Sequence, residues 1–187
     1  MMDKTGDNEL MLKAKGGDRQ AFENLYKRYS APVLNFFYRL EWNSSLAEEG
    51  VQEVFYRLWK HKAKYVPRGK FSTYLFQIAK NYWLNEMKRK RPQSGDEILA
   101  GQKSPAAGPD RQVERKEMRD IVRTAISGLP ENDRLPFVLA RYHGMKHKDI
   151  AQMLGISARA VEARILRAMK KLETSLAQHD LVPGGNS

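Results

Sequence analysis

Apolar residues recur at spacings of three and four along most of the chain, and no stretch alternates with a period of two. From Gly17 to Leu40 the series Phe22, Leu25, Tyr26, Tyr29, Val33, Phe36, Phe37 and Leu40 predicts a long helix. Asp18 is placed to cap it, and Pro32 should kink or break it. Leu46, Val51, Val54, Phe55, Leu58 and Trp59 predict a second helix from about Ser45 to Lys62, and Pro67 and Gly69 mark a loop after it. A third helix, from about Ser72 to Lys90, places its core stripe on Leu75, Ile78, Ala79 and Tyr82, with Ser72 or Thr73 as its cap.

The periodicity then lapses. "RPQSGDEILAGQKSPAAGPD", Arg91–Asp110, is rich in Pro, Gly, Ser and Ala and reads as a flexible linker. It separates an N-terminal domain, residues 1–91, from a C-terminal domain, residues 111–187, with residues 92–110 between them. The final "LVPGGNS" should fray. The second domain opens on an amphipathic stretch, Val113–Ile126, and a further helix begins at Pro130, a residue suited to a first turn. Pro136 lies deeper in that helix and should distort it.

"DIAQMLGISARAVEARILRAMKKL", Asp149–Leu172, predicts two short helices in tight succession. Ile150, Ala151 and Leu154 form one apolar face, Gly155 can take the left-handed conformation that ends the helix, Ile156 turns inward and Ser157 caps the next helix. There Val161, Ile165, Ala168 and Leu172 make a buried stripe, while Arg159, Glu162, Ala163, Leu166, Arg167 and Lys170 face away from it. The pattern fits a helix-turn-helix whose second helix enters a major groove, and also an ordinary helical hairpin with a solvated face. Leu166 lies off the buried stripe, which favours a contact face. The fold class is therefore all-α: two small helical domains joined by a flexible linker, the C-terminal one containing a helix-turn-helix.

Charge sharpens the picture. The chain of 187 residues has a net charge of +11, which favours a polyanionic partner. The excess is local: residues 60–91 hold ten Lys and Arg against Glu86 alone, whereas residues 41–53 hold four acids and no base. Within Lys70–Arg91, Phe71, Tyr74, Phe76, Tyr82 and Trp83 are interleaved with Lys80, Lys88, Arg89, Lys90 and Arg91. Single-stranded nucleic acid is bound by such mixtures, with cations on phosphates and rings on unpaired bases. The aromatics could equally all be core. Tyr74, Gln77, Asn81 and Asn85 are the better candidates for an exposed face.

Several classes are disfavoured. The absence of cysteine removes disulfides, thiolate metal sites and cysteine catalysis, and favours an intracellular, cytoplasmic location. No run of 18 apolar residues suggests membrane insertion, and the N-terminus is too polar for a signal peptide. His61, His143, His147 and His179 form no ligand pattern, since Gly144 puts a turn between the pair spaced i, i+4. No phosphate-binding loop or catalytic dyad stands out, so no cofactor, metal or enzymatic activity is expected.

Four segments together resemble the extracytoplasmic-function (ECF) group of bacterial RNA polymerase sigma factors: "GDRQAFENLYKRYSAPVLNFFYRL", "AEEGVQEVFYRLWKHK", "FSTYLFQIAKNYWLNEMKRKR" and "LPENDRLPFVLARYHGMKHKDIAQMLGISARAVEARILRAMKKL". The resemblance covers nearly the whole chain outside the tails and the linker. It implies a subunit that directs core RNA polymerase to promoters and promotes melting. Glu49, Gln52, Glu53 and Phe55 match the polymerase-binding motif. Tyr74, Gln77, Lys80, Asn81, Trp83, Asn85, Lys88 and Arg89 fall in the segment that melts and reads the −10 single strand. The loop Lys62–Lys70 matches the region where family members capture a flipped base. Glu162, Ala163 and Leu166 match base-facing positions over the −35 duplex, with Arg159, Arg164, Arg167, Lys146, His147 and Lys148 suited to phosphates. An anti-sigma factor is a further implied partner.

Two residues depart from the family pattern. Glu162 is acidic where a basic or polar residue is common, and a carboxylate can accept from cytosine N4 but cannot read guanine as arginine does. Gly50 stands where an aliphatic residue is usual and should cost about 1 kcal/mol of helix propensity against alanine. A helix-turn-helix repressor or activator with a helical sensing domain is the alternative; it would bind duplex without polymerase and would not need the basic aromatic helix.

Overall fold

The computed structural model describes residues 6–90 and 111–177. They form helices α1 (Asp7–Lys15), α2 (Arg19–Glu41), α3 (Ser44–Lys60), α4 (Phe71–Lys90), α5 (Arg111–Ser127), α6 (Glu131–His143), α7 (His147–Leu154) and α8 (Ala158–Ala177), with a short 3-10 turn at Lys62–Lys64. Among the described residues there is no strand. The expected linker, residues 92–110, and the tail "LVPGGNS" lie outside the described residues. Residues 6–38 and 43–90 belong to one compact unit, and residues 39–42 and 111–177 to another.

Helix starts follow local chemistry. Asp18 Oδ1 accepts from the Ala21 amide at 3.0 Å, as expected of a cap. Asn43 Oδ1 accepts from the Leu46 amide at 3.1 Å, so α3 begins at Ser44 rather than Ser45. α4 begins at Phe71, which puts Ser72 and Thr73 inside its first turn rather than at the cap. Neither internal proline breaks its helix: α2 runs through Pro32 and α6 through Pro136. Pro136 has no amide to offer the Asn132 carbonyl, and the Arg164 guanidinium approaches that oxygen at 3.5 Å instead. Helix α1 was not foreseen, because its nine residues bury only Leu10, Met11 and Ala14, too few to establish a period.

In the first unit the core is largely aromatic. Phe36 and Phe37 meet edge to face at 5.2 Å, Phe36 reaches Phe76 of α4 at 5.5 Å, and Phe37 reaches Tyr82 at 5.7 Å. Gly50 lets α3 approach this cluster: a Cβ there would lie 2.5 Å from Cδ2 of Phe37. In the second unit Ile126, Leu135, Val138, Leu139, Ile150, Val161, Ile165 and Ala168 are buried. Met153 takes the buried place beside Ile150 and Ala151, and Leu154 and Leu172 are only half-buried. Gly144 (φ 58°) and Gly155 (φ 67°) end α6 and α7 in the left-handed region that glycine tolerates.

Candidate nucleic-acid interface

The acidic face of α3 is held against α4. Glu49 accepts a hydrogen bond from the Tyr82 hydroxyl at 3.2 Å, and Arg57 donates from Nε to Glu53 at 2.6 Å while its guanidinium lies 5.2 Å from the Tyr82 ring centre. Burial, with the charge of Glu49 behind it, pushes the Tyr82 phenol up to about 12. Glu49 and Gln52 are exposed and Glu53 half-buried. Phe55 does not share their face. It is 4% exposed, set between Phe22 at 6.1 Å and Tyr26 at 4.7 Å, so the expectation that it meets a partner directly gives way to a core role. Beside the acids lies a shallow groove between α2 and α3, lined by Tyr26, Ala31, Leu34, Glu48 and Gln52. Tyr26, Leu34 and Tyr56 are exposed. Leu34 lies off the apolar stripe of its helix, the one sequence signal that could have singled it out.

On α4 the residues expected at nucleic acid separate into two groups. Tyr74, Gln77, Asn81, Asn85 and Lys88 follow one another at spacings of three and four and form a single stripe. Asn81, Asn85, Lys88 and Arg89 are exposed, and Tyr74 and Gln77 half-buried. Gln77 and Asn81 are joined at 3.4 Å, and Arg89 pairs with Glu86 at 2.8 Å. Trp83 and Lys80 lie elsewhere. Trp83 is 2% exposed and Lys80 is 9% exposed, and burial pushes the Lys80 ammonium down. An indole sealed in the core offers no face to a base, so the expectations for Trp83 and Lys80 are corrected. Packing against both α3 and α1 widens the buried side of α4, and an unforeseen α1 meant an unforeseen second burial. Ile78, expected in the core, is only half-buried.

Between α3 and α4 the chain carries Lys62, Lys64, Arg68 and Lys70 and no acid. The Lys62 ammonium lies 3.1 Å from the centre of the Trp59 ring.

The second unit presents α8 as a recognition helix would be presented. Ser157 Oγ accepts from the Ala160 amide at 3.1 Å and caps it. Arg159, Glu162 and Ala163 are exposed, and Leu166 is 58% exposed. Lys146, His147 and Lys148 are exposed at the start of α7. Two arginines expected at phosphates also have partners within the fold, and Arg167 is still 56% exposed. Arg164 is the residue that approaches the Asn132 carbonyl. Arg167 donates to both carboxylate oxygens of Asp133, at 2.9 and 3.4 Å, and the Asp133 side chain is only 7% exposed. Among the described residues no group of three or more His, Cys, Asp or Glu could hold a metal ion, and no helix is long and apolar enough to cross a membrane.

Comparison with known proteins places both units. Sigma-70 region 2 matches residues 25–93, and Sigma-70 region 4 matches residues 119–172. The chain is 26% identical to the RNA polymerase sigma-H factor of Pseudomonas aeruginosa, over 94% of this chain and 96% of that protein. It is 26% identical to the ECF RNA polymerase sigma-E factor of Escherichia coli, over 94% and 97%. It is 27% identical to the ECF RNA polymerase sigma factor SigW of Bacillus subtilis, over 90% and 98%. Among solved structures, CnrH in complex with the cytosolic domain of CnrY superposes with a TM-score of 0.68 at 25% identity, covering 92% of this chain and 97% of that one. The sigma factor RpoE of Bartonella quintana, in complex with the anti-sigma factor NepR, shares the fold with a TM-score of 0.66 at 18% identity, covering 83% of this chain and 96% of that one.

Proposed function

Because the chain belongs to the extracytoplasmic-function group of bacterial sigma factors, we propose that its two halves divide the work of promoter recognition as follows. Residues 1–91 dock on core RNA polymerase through Glu49, Gln52 and Glu53 and the adjoining groove of α2 and α3. They hold the melted −10 strand along Tyr74, Gln77, Asn81, Asn85 and Lys88, with Arg89 beside them. Residues 111–187 hold the −35 duplex, with Glu162, Ala163 and Leu166 toward base edges and Arg159, Lys146, His147 and Lys148 toward phosphates. Residues 92–110 span the two. Melting draws on binding energy, because unpaired bases gain stacking and pocket contacts that a duplex cannot offer. The setting is the cytoplasm, and an anti-sigma factor that covers these same surfaces is the expected regulator.

The observation that carries this reading is the polar stripe of α4 in the same chain as a helix-turn-helix. A duplex-binding repressor would have no use for such a stripe. The test is run-off transcription by core polymerase with and without the chain, on promoters selected from a randomised pool. Initiation that depends on the chain supports the proposal. Tight duplex binding without polymerase, and no initiation with it, would favour the repressor.

A further inference from the structure

The four cations of the loop between α3 and α4, with Pro67 and Gly69 among them, would make a free segment splay, since like charges so close repel. Yet the loop is fastened at several points, and three hydrogen bonds run from it to α1. The Tyr65 hydroxyl donates to Asn8 Oδ1 at 2.7 Å. Asn8 Nδ2 donates to the Gly69 carbonyl at 2.9 Å. Lys15 Nζ donates to the Tyr65 carbonyl at 2.9 Å. One amide side chain thus uses its acceptor on one end of the segment 65–69 and its donor on the other.

The anchor points are rigid. The Tyr65 ring is buried and packs on Phe71 at 6.2 Å and Tyr74 at 5.0 Å. α1 buries Leu10, Met11 and Ala14, and Asp7 is bound by Arg28 at 2.8 Å and the Tyr29 hydroxyl at 2.6 Å. What remains outside is the tip. Val66, Pro67 and Arg68 are exposed, and the Arg68 amide closes a tight turn on the Val66 carbonyl at 2.9 Å. An apolar side chain and a guanidinium are therefore presented together, the pair an unpaired nucleotide needs for its base and its phosphate.

We propose that α1 is a brace for this loop and that Asn8 is a positioning residue, holding the tip Val66–Arg68 where it receives an unpaired base of the −10 strand. The proposal rests on the reading of the chain as a sigma factor, in which the resemblance makes the loop Lys62–Lys70 the region that captures a flipped base. A tip held in place before DNA arrives loses less freedom on binding than a mobile one.

The test uses holoenzyme, the full chain with core polymerase, and fork DNA in which the −10 strand is unpaired. One fork carries the selected sequence, and the others carry a single abasic position in that strand. Asn8→Ala is expected to weaken binding to the intact fork about tenfold, the effect of releasing two hydrogen bonds. On the fork abasic at the captured position it should have no effect, because the base that the tip receives is gone. Tyr65→Phe keeps the ring packing and frees only one of the two fastenings, so a smaller loss with the same abasic dependence is expected. Affinity for core polymerase should not change in either variant. An Asn8→Ala loss of equal size on every fork, together with weaker polymerase binding, would mean a general fold defect and overturn the proposal, as would no loss at all. Arg68→Ala separates the two ideas. If it weakens the intact fork while Asn8→Ala does not, the brace is wrong; if neither matters on any fork, the base-capture reading falls with it.

Discussion

Gly50→Ala is expected to destabilise the protein, against what helix propensity demands. In a helix interior alanine is favoured over glycine by about 1 kcal/mol. In this fold the added methyl would sit 2.5, 2.7 and 2.8 Å from Cδ2, Cε2 and Cγ of Phe37. Carbon atoms at their optimum stand about 3.5–4.0 Å apart, so the contact is too short by roughly 1 Å. The ring cannot swing aside freely, because Phe37 is buried with Phe36 at 5.2 Å and Tyr82 at 5.7 Å. Overpacking of a filled core costs about 1–3 kcal/mol, which outweighs the propensity gain over most of that range. A net loss of about 1 kcal/mol would lower the melting temperature of a unit this size by about 4–8 °C. Trp59 and Trp83 lie in this unit, so their indole fluorescence follows its unfolding. The double variant Phe37→Leu with Gly50→Ala should recover part of the loss, a coupling of at least about 0.5 kcal/mol for residues in contact. A higher melting temperature for Gly50→Ala alone, or strict additivity in the double variant, would refute the reasoning.

Four further outcomes are expected. Arg167→Ala should destabilise the second unit, since it removes the hydrogen-bonding partner of the buried Asp133 carboxylate, whereas Arg159→Ala should leave stability unchanged and reduce the salt dependence of DNA binding by about one unit of slope; urea unfolding and binding titrations across salt concentrations separate the two. Trp83→Ala should cost about 3–5 kcal/mol and impair polymerase binding and open-complex formation together, while Asn81→Ala should affect only the open complex; selective loss in the tryptophan variant would show that the indole leaves the core. Glu162→Gln should shift the −35 sequences selected from a random pool away from cytosine at one position, by about 1–3 kcal/mol of discrimination, and an unchanged selection would remove Glu162 from base reading. Burial pushes the His143 imidazole down from 6.5 to about 4. Between those values the unfolded chain takes up a proton that the native state refuses, so stability should fall as pH drops from about 6.5 to about 4 and level off below. His143→Gln should flatten that profile, and identical profiles for the two proteins would contradict the assignment.

Helical periodicity was legible wherever a helix buries one stripe. The Val161, Ile165 and Ala168 stripe, the left-handed Gly155 and the Ser157 cap all follow from local chemistry and are found as read. Helices that bury more than one side were not legible in the same way. α4 carries aromatic and basic residues on both its buried and its exposed flanks, so residue type did not say to which flank Trp83 belongs. Phe55 was misplaced for a related reason, since it has the right chemistry for a partner but meets one inside the fold first.

Sequence alone determined the all-helical class, the helix-turn-helix and the kinship, because these depend on spacings of three and four and on caps within a few residues. Only the tertiary structure decided which side chains are available. It tied Arg167 to Asp133 and Arg164 to the Asn132 carbonyl, sealed Trp83 in the core, and brought Asn8 to Gly69, 61 residues away. Such choices are made by contacts between residues distant in the chain, and a single sequence has no local signal for them. Gly50 shows the consequence most directly: its helix would prefer alanine, but a neighbouring helix places a phenyl ring where the methyl would go.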